Sequence, residues 1–362
     1  MNARTIVAAV SLVGAATALA CGFAGGLARL GLVPGTDVAI DAHGAFMICG
    51  FFGTLIALER AVADGRSWAF AAPAFGVAGV ILTHAGLPQA AAMAYGLSAI
   101  ALTGLTGLAA VKNPEPFTLL MTAAAAIYTC GVALWISGET AADVAYLWLA
   151  FLILTVLAER LELSRLRAHS PAALALLAFI LAVFVGALAL GEPWRHGSGP
   201  LGAALAAAAI WFLMRDVAVV TIRQRGLARF SAVCLVTGYG WLIVAGAALI
   251  VSPPGQALYG HDMAVHAIGL GFVLSMVMAH APIILPAVVG VKVRYTPVLY
   301  GPVGVLQAGV ACRILGDMLE ADSVRQASAI VSISAVALYL ILLIGTRLAD
   351  ILSNQRRTAA AR

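Results

Sequence analysis

The amino-acid sequence predicts an all-α integral membrane protein, a bundle of about 12 transmembrane helices. Hydrophobic residues make up 62% of the 362 residues and charged residues only 10%, and the mean hydropathy is +1.01. A soluble fold of this composition could not cover its surface with polar side chains. Apolar runs of about 20 residues, the length at which a helix crosses a hydrocarbon core, recur along the whole chain. We therefore predict a single polytopic membrane domain over residues 1–362.

Apolar periodicity and helix-breaking residues divide the chain into twelve segments. The predicted helices are 4–26, 41–61, 68–86, 88–111, 116–137, 143–163, 171–190, 200–221, 230–251, 260–289, 297–316 and 324–349. Prolines such as Pro171 and Pro297 fall at the ends of these segments, where a missing amide proton costs little. The first segment also resembles a secretory signal that ends before Cys21. Its apolar run continues to Gly25, so we predict that it is kept as a helix.

The distribution of basic residues predicts the orientation of the chain. If the N-terminus is cytoplasmic, only four of the 21 basic residues fall on the outer side, and these are Arg29, Arg195, Arg313 and Arg325. The positive-inside rule then places both termini in the cytoplasm. A multi-pass protein of the bacterial inner membrane, surrounded by the lipid bilayer, is expected. The basic residues do not cluster with aromatic residues on a polar domain, so no nucleic-acid partner is predicted.

Neither the cysteines nor the internal similarity of the chain gives a clear functional signal. The five cysteines lack paired spacing, which argues against both a disulfide framework and a zinc site. The string TLIALER, Thr54 to Arg60, resembles TVLAER, Thr155 to Arg160. If this similarity reflects a repeat, the bundle consists of three arcs of four helices. Chance coincidence of short apolar strings is the alternative.

Histidines are the most informative polar residues, because ionisable groups inside a membrane are costly and are functional candidates. The predicted topology places His43, His84, His196, His261 and His266 in the outer half and His169 and His280 towards the inner side. His43 and His266 each lie near the outer start of an inward-running helix. Two imidazoles at one depth can bind a haem iron axially. The alternative is a pair of rim histidines in contact with water.

Glycines beside the two histidines favour a flat ligand. Gly44 follows His43, while Gly269 and Gly271 follow His266, and small residues let a ring approach a helix backbone. His280 lies 14 residues after His266 and nearly on the same helix face. It could bind a second haem, or it could bond to backbone freed by nearby prolines.

A metal site at the outer rim is a further hypothesis. His261 and Asp262 lie at the outer start of the tenth predicted helix, towards the surface where His84 and Asp41 also end. Imidazoles there could bind copper, with a carboxylate orienting one of them. The alternative is that Asp262 stabilises the positive N-terminus of its helix.

Two other classes of function are alternatives to haem binding. Arg215 and Asp216 are the deepest pair of charges, and they could line the path of a 12-helix secondary transporter together with a proline-broken tenth helix. The chain could also be the membrane subunit of a larger redox complex. The sequence specifies no particular oligomeric state.

Two segments resemble a known superfamily. DAHGAFMICGFFGTLI, residues 41–56, resembles the HG-x-x-M segment in helix 2 of the haem-copper oxidase superfamily, which implies that His43 is an axial haem ligand. GHDMAVHAIGLGFVLSMV, residues 260–277, resembles helix 10 of that superfamily. Without gaps, however, its haem histidines fall on Gly269 and Gly271.

The similarity is greater to the NnrS family, which is related to that superfamily, has 12 helices and is associated with haem, copper and resistance to nitric oxide. HAIGLGFVLSMVMAHAP, which begins at His266 and contains His280, is similar to its late segment. The resemblance implies that the protein binds haem b, and it also implies copper as a second cofactor. It also implies electron transfer with a quinone or periplasmic partner, or the handling of nitric oxide or metal stress.

The sixth predicted helix departs from the oxidase pattern. It has no histidine where an oxidase would hold copper, and the chain contains no pair of adjacent histidines. Reduction of oxygen or nitric oxide is therefore not expected, and whether the protein is an enzyme stays open.

Overall fold

The computed structural model describes residues 3–36, 40–164, 169–190, 198–289 and 295–360, with side chains except at 3, 286–289 and 346–360. These residues are mainly helical and contain no β-strand. They divide into two compact units. The first comprises Met1–Ala168 and Leu188–His196, and the second comprises His169–Ala187 and Gly197–Arg362.

Eleven helices within the described ranges are long and apolar enough to cross a membrane. This confirms the all-α class and indicates a multi-pass membrane protein. One more apolar helix, Gly199–Arg215, is shorter than the other eleven. It corresponds to the eighth predicted segment.

Six long helices in the described part of the first unit correspond to the first six predicted segments. They are α1 (Ala3–Arg29), α2 (His43–Asp64), α3 (Ser67–His84), α4 (Pro88–Lys112), α5 (Pro116–Ile136) and α6 (Ala141–Leu163). Capping boxes begin α5 and α6. At α6, for example, the Thr140 hydroxyl accepts from the Asp143 amide while the Asp143 carboxylate accepts from the Thr140 amide. Such reciprocal bonds satisfy amides that a helix start otherwise leaves unpaired.

The core of the first unit is formed around α6, which is buried along most of its length. Trp148 is fully buried against Gly131 of α5, where an added Cβ would lie 2.8 Å from Trp148 Cδ1. Tyr128 of α5 stacks on Phe151 of α6 with ring centroids 4.6 Å apart. A small residue thus lets α5 and α6 approach closely around large aromatic side chains.

The two similar strings found in the sequence meet at their charged ends. Arg60 Nη2 donates to Glu59 Oε1 at 2.7 Å and to Glu159 Oε1 at 2.9 Å. The guanidinium therefore links α2 to α6 through two carboxylates. This contact gives Glu59, Arg60 and Glu159 a structural role at the ends of their helices.

Replacing Arg60 with alanine is expected to destabilise the fold by about 1–3 kcal/mol, because the carboxylates of Glu59 and Glu159 would lose the guanidinium that bridges them. About a quarter of each side chain is exposed, 22–27%, so the effect should be smaller than for a fully buried pair. The apparent melting temperature in detergent measures the change. Arg66→Ala is the control, because Arg66 is 40% exposed and pairs with Asp64 only two residues away, and a local pair with an exposed partner contributes little. Equal effects of the two substitutions would contradict the assignment.

The second unit contains the remaining helices. They are α7 (Pro171–Ala189), α8 (Gly199–Arg215), α9 (Leu227–Val251), α10 in three parts (Gly260–His266, Ala267–Val273 and Leu274–Val289), α11 (Pro297–Met318) and α12 (Asp322–Ala360). A short helix, Ala218–Thr221, follows α8.

The prediction of one helix over 200–221 is wrong, because α8 ends at Arg215. Asp216 has extended backbone, with ψ of 147°, and its Oδ1 accepts from the Ala218 amide at 2.8 Å. A side-chain oxygen that bonds to an amide two residues ahead competes with the helical pattern and starts a new turn.

Candidate functional site

Two irregular helical stretches lie beside the histidines predicted to bind haem. In α2 the backbone forms a π-helix over Phe46–Gly53, three residues after His43. In α10 a π-helix over Ala267–Val273 begins directly after His266. Such segments are rare and frequently occur at functional sites. Apolar periodicity predicts neither π-helix, and the glycines within each apolar run are the only feature of the sequence that marks them.

His43 is held against α1. Its Nδ1 lies 2.6 Å from the carbonyl oxygen of Gly22, and an added Cβ on Gly26 would lie 3.0 Å from His43 Cε1. A carbonyl oxygen only accepts, so Nδ1 carries the hydrogen and Nε2 carries the lone pair in the neutral ring. That tautomer is the one in which Nε2 can bind a metal.

Met47, one turn after His43, lies against the same glycine of α1. An added Cβ on Gly22 would lie 2.5 Å from Met47 Sδ. Gly44 differs, because no heavy atom lies within 4 Å of the place where its Cβ would be. A Cβ at Gly44 would therefore meet open space, and the approach of a flat ring there stays a prediction from the sequence.

His266 shows a second histidine arrangement of the same kind. Its Nδ1 lies 2.9 Å from the backbone carbonyl oxygen of Asp262 and 3.3 Å from Asp262 Oδ1. The hydrogen is again assigned to Nδ1, which leaves the lone pair on Nε2. Both the backbone and the side chain of Asp262 thus orient the ring.

The two glycines after His266 have different surroundings. No heavy atom lies within 4 Å of a Cβ built on Gly269, whereas a Cβ on Gly271 would lie 2.5 Å from Trp241 Cγ. Gly271 therefore accommodates the indole of α9, and Gly269 is the open position. Trp241 Nε1 donates to Gln307 Oε1, and Gln307 Nε2 donates to Ser275 Oγ at 3.0 Å, which joins α9, α11 and α10.

His280 bonds within its own helix, with Nδ1 2.7 Å from the Met276 carbonyl oxygen. Pro282 has no amide hydrogen, so it frees the carbonyl oxygen of Met278 four residues earlier. Tyr339 of α12 donates its hydroxyl to that oxygen at 2.6 Å. The freed backbone is thus satisfied by Tyr339, and Leu274–Val289 is one helix that the proline does not break.

The described residues do not assemble the metal ligands that were predicted at the outer rim. Among the described residues, no group of three or more His, Cys, Asp or Glu side chains has metal-binding geometry. His84 ends α3 and lies 3.8 Å, Nδ1 to Sγ, from Cys21 of α1, while Asp41 is exposed. His261 lies in the first turn of α10. His196 lies outside the described residues.

A group of five charged residues joins α10, α11 and α12, and we call it the aspartate–arginine cluster. Its members are Asp262, Arg313, Asp317, Asp322 and Arg325. Arg313 donates to Asp262 Oδ2 through Nε at 2.8 Å and Nη2 at 2.5 Å. Arg325 donates through Nε to Asp317 Oδ1 at 2.7 Å and through Nη1 to Asp322 Oδ1 at 2.9 Å.

The cluster contains Arg313 and Arg325, two of the four basic residues that the predicted topology places on the outer side. Arg313 and Arg325 have side chains that are only 8% and 11% exposed, and both are paired with carboxylates. Asp262 lies in the first turn of α10, as predicted, but its carboxylate also pairs with Arg313. Burial of two guanidiniums is tolerated because each has hydrogen-bonded partners of opposite charge.

Asp216 is fully buried where α8 ends. Tyr239 of α9 donates its hydroxyl to Asp216 Oδ2 at 2.5 Å, and the Ala218 amide donates to Oδ1. Both carboxylate oxygens thus bond to neighbouring protein groups. This arrangement fits a structural role in joining α8 to α9.

These features define an all-α, multi-pass membrane protein in which hydrogen bonds orient the imidazoles of histidines in the helices. The chain belongs to the family described as Domain of unknown function (DUF8744), whose profile matches residues 7–348. Searches of curated proteins and of solved structures give no match. The resemblance to the NnrS family stays a prediction from the sequence.

Proposed function

We propose that the chain is a haem-binding membrane protein of NnrS-like type, in which Nε2 of His43 and Nε2 of His266 bind the iron of haem b. The observation that carries the proposal is the hydrogen bond from each Nδ1 to a backbone carbonyl oxygen. His43 belongs to the first unit and His266 to the second. That they bind one ring together stays a prediction from the sequence.

The residues fit the chemistry of a haem ligand. A histidine that binds a metal usually donates its other ring nitrogen to a carbonyl or carboxylate, which fixes the tautomer and the ring orientation. His43 has a carbonyl partner, and His266 has both kinds of partner. No heavy atom lies within 4 Å of a Cβ built on Gly44 or Gly269, which is compatible with a flat ring beside each helix. When bound, haem would supply one-electron chemistry.

Electron transfer in the bacterial inner membrane is the role that these ligands support best. A haem with two imidazole ligands has no vacant iron position for a substrate, which favours electron transfer over gas reduction. A quinone or a periplasmic protein is the class of partner that could exchange electrons with it. A role in nitric oxide or metal stress rests on the resemblance to the NnrS family.

Other candidates are weaker on the observed geometry. His280 has the same type of Nδ1 bond and is our candidate for a second haem. Among the described residues, neither His84 nor His261 belongs to a group of three or more side chains that could hold copper. Transport through Arg215 and Asp216 would need a polar path, whereas Asp216 is buried and bonded to Tyr239 and Ala218.

The test is expression of the full chain in a haem-replete host, purification in detergent, and measurement of the absorption spectrum, haem content and metal content. We expect a b-type spectrum. His43→Ala and His266→Ala should each lower the haem content by about tenfold or more, because a missing ligand costs at least as much affinity as a lost outer-shell partner. His280→Ala shows whether a second haem is present.

His84→Ala is the matched control, because His84 is an exposed histidine at the end of a membrane helix. It should retain the wild-type spectrum. A wild-type chain without haem, or unchanged spectra in both His43→Ala and His266→Ala, would disprove the proposal. Copper in place of haem would favour the metal-handling alternative.

A further inference from the structure

Three arginines lie close together between α8 and the first turn of α9, and we call them the arginine patch. Arg223, Arg225 and Arg229 fall within a stretch of seven residues, and all three are exposed. A tight connection presents them, because the Arg223 amide donates to the Val220 carbonyl oxygen at 3.2 Å and Gly226, with φ of 71°, turns the chain into α9. Glycine adopts such a backbone conformation at little cost. One short, turned segment therefore carries three positive charges.

No carboxylate in the described part of the chain pairs with the arginine patch, because the ion pairs found there involve other arginines. The sequence has no Asp or Glu between Asp216 and Asp262. Asp216 is fully buried, and its two oxygens accept from the Ala218 amide and the Tyr239 hydroxyl. The first turn of α9 contains Arg229 and no acidic residue, so the positive end of the helix dipole adds to the charge. The described protein groups therefore leave the charge of the patch uncompensated.

The arginine patch lies at the level where a membrane meets water. α9 is long and apolar enough to cross a membrane, and the patch spans the start of this helix. Phe230 of α9 is buried and packs against Tyr295 and Tyr300, with ring centroids 5.9 and 5.2 Å apart. Tyrosines are enriched at the interface between lipid and water. A bilayer crossed by α9 therefore places the patch beside the lipid headgroups, on the side that the sequence predicts to be cytoplasmic.

The chemistry of the arginine patch favours a phosphate group in a lipid. A guanidinium is planar and binds phosphate oxygens through two parallel hydrogen bonds. Clusters of basic residues next to a membrane helix attract anionic lipids. An acidic protein is a less suitable partner, because a stable protein interface covers about 800 Å² on each side, whereas the described charges are confined to one segment.

We propose that the arginine patch binds the phosphate of an anionic phospholipid in the leaflet that meets the start of α9. The phosphate oxygens accept hydrogen bonds from the guanidiniums of Arg223, Arg225 and Arg229, and the acyl chains stay in the hydrocarbon core. This lipid site needs no haem, so it goes beyond the proposed function and stands apart from it. The protein should therefore select anionic over zwitterionic phospholipids.

Native mass spectrometry of the purified full chain tests the proposal. The chain in detergent is titrated with phosphatidylglycerol and, in parallel, with the zwitterionic lipid phosphatidylcholine. We expect phosphatidylglycerol to bind more tightly by about tenfold or more, because one basic residue beside anionic lipid contributes about fivefold in affinity. The combined substitutions Arg223→Gln, Arg225→Gln and Arg229→Gln should remove this preference. Lysine at the three positions should retain part of it, since the charge stays while the paired hydrogen bonds are lost.

A control variant that combines Arg4→Gln, Arg29→Gln and Arg66→Gln removes the same net charge from the first unit and should keep the lipid preference. Circular dichroism checks that each variant folds. If the triple variant of the patch does not fold, each single substitution should still lower the affinity for phosphatidylglycerol by about fivefold. Equal binding of the two lipids by the wild-type chain, an unchanged preference in the folded triple variant, or an equal loss in the control would overturn the proposal. Binding of inorganic phosphate or of an acidic protein without a lipid preference would also overturn it.

Discussion

Replacement of Asp262 with alanine is expected to destabilise the folded chain by about 2–4 kcal/mol, because it leaves a buried guanidinium without its carboxylate. Arg313 bonds to Asp262 through both Nε and Nη2, and its side chain is only 8% exposed. Its remaining carboxylate neighbour, Asp317 Oδ2, is 3.5 Å away. The apparent melting temperature in detergent, or resistance to proteolysis, measures the loss.

A double substitution separates the cost of an unpaired charge from the contribution of the pair. Asp262→Leu with Arg313→Leu removes both partners, and replacing a buried ion pair with apolar side chains is often close to neutral. We expect the double variant to recover more than half of the stability lost in Asp262→Ala. Asp322→Ala is the control for a solvated member of the cluster and should have the smallest effect. A stability of Asp262→Ala close to wild type would contradict the assignment.

The Asp262→Ala variant also tests what orients the imidazole of His266. Asp262→Ala keeps the backbone carbonyl that accepts from His266 Nδ1 and removes only the carboxylate oxygen at 3.3 Å. Loss of haem from folded Asp262→Ala, and equally from the double variant that recovers stability, would therefore show that the carboxylate is needed to hold the imidazole in place.

The fold class could be predicted from sequence because helix length and hydropathy are local properties of a membrane segment. The end of α8 could not be predicted from the sequence, because residues 217–221 continue the apolar pattern past Arg215. A single hydrogen bond from the Ala218 amide to Asp216 ends the helix there. Apolar patterning does not report which side-chain oxygen captures a backbone amide.

The histidines were found from their rarity in apolar segments, but their hydrogen-bond partners were not. The acceptor for His43 is the Gly22 carbonyl of another helix, which no spacing within α2 indicates. For His266 and His280 the acceptors are carbonyls four residues earlier, and this choice depends on the side-chain rotamer. The role of Gly271 was also mistaken, because the indole that fills its space comes from α9.

The aspartate–arginine cluster was only partly visible in the sequence. Arg313 with Asp317 has i,i+4 spacing and Asp322 with Arg325 has i,i+3 spacing, and both spacings place side chains together on a helix. Asp262 lies 51 residues before Arg313, so packing of α10 against α11 was needed to connect them. The positive-inside rule marks Arg313 and Arg325 as exceptions, but it does not indicate which carboxylates pair with them.

Replacement of Gly246 with alanine should have the other large effect, a loss of about 2–3 kcal/mol through overpacking of α8 against α9. An added Cβ on Gly246 would lie 2.5 Å from the carbonyl oxygen of Gly202, and an added Cβ on Gly202 would lie 2.5 Å from the carbonyl oxygen of Gly246. Both obstacles are backbone atoms, so no side-chain rotation relieves the clash and the helices must separate. Packing between apolar helices depends on such close approach, because lipid provides no hydrophobic drive for their association.

Gly240→Ala is the matched control, since it makes the same chemical change on the same helix. No heavy atom lies within 4 Å of a Cβ at this position. Alanine should therefore leave stability unchanged or raise it by up to about 1 kcal/mol, because alanine favours a helix more than glycine does. Gly202→Ala should resemble Gly246→Ala. The double variant should cost less than the sum of the two, because the helices have to separate only once. If Gly246→Ala proved as stable as Gly240→Ala, close contact between these two backbones would not stabilise the second unit.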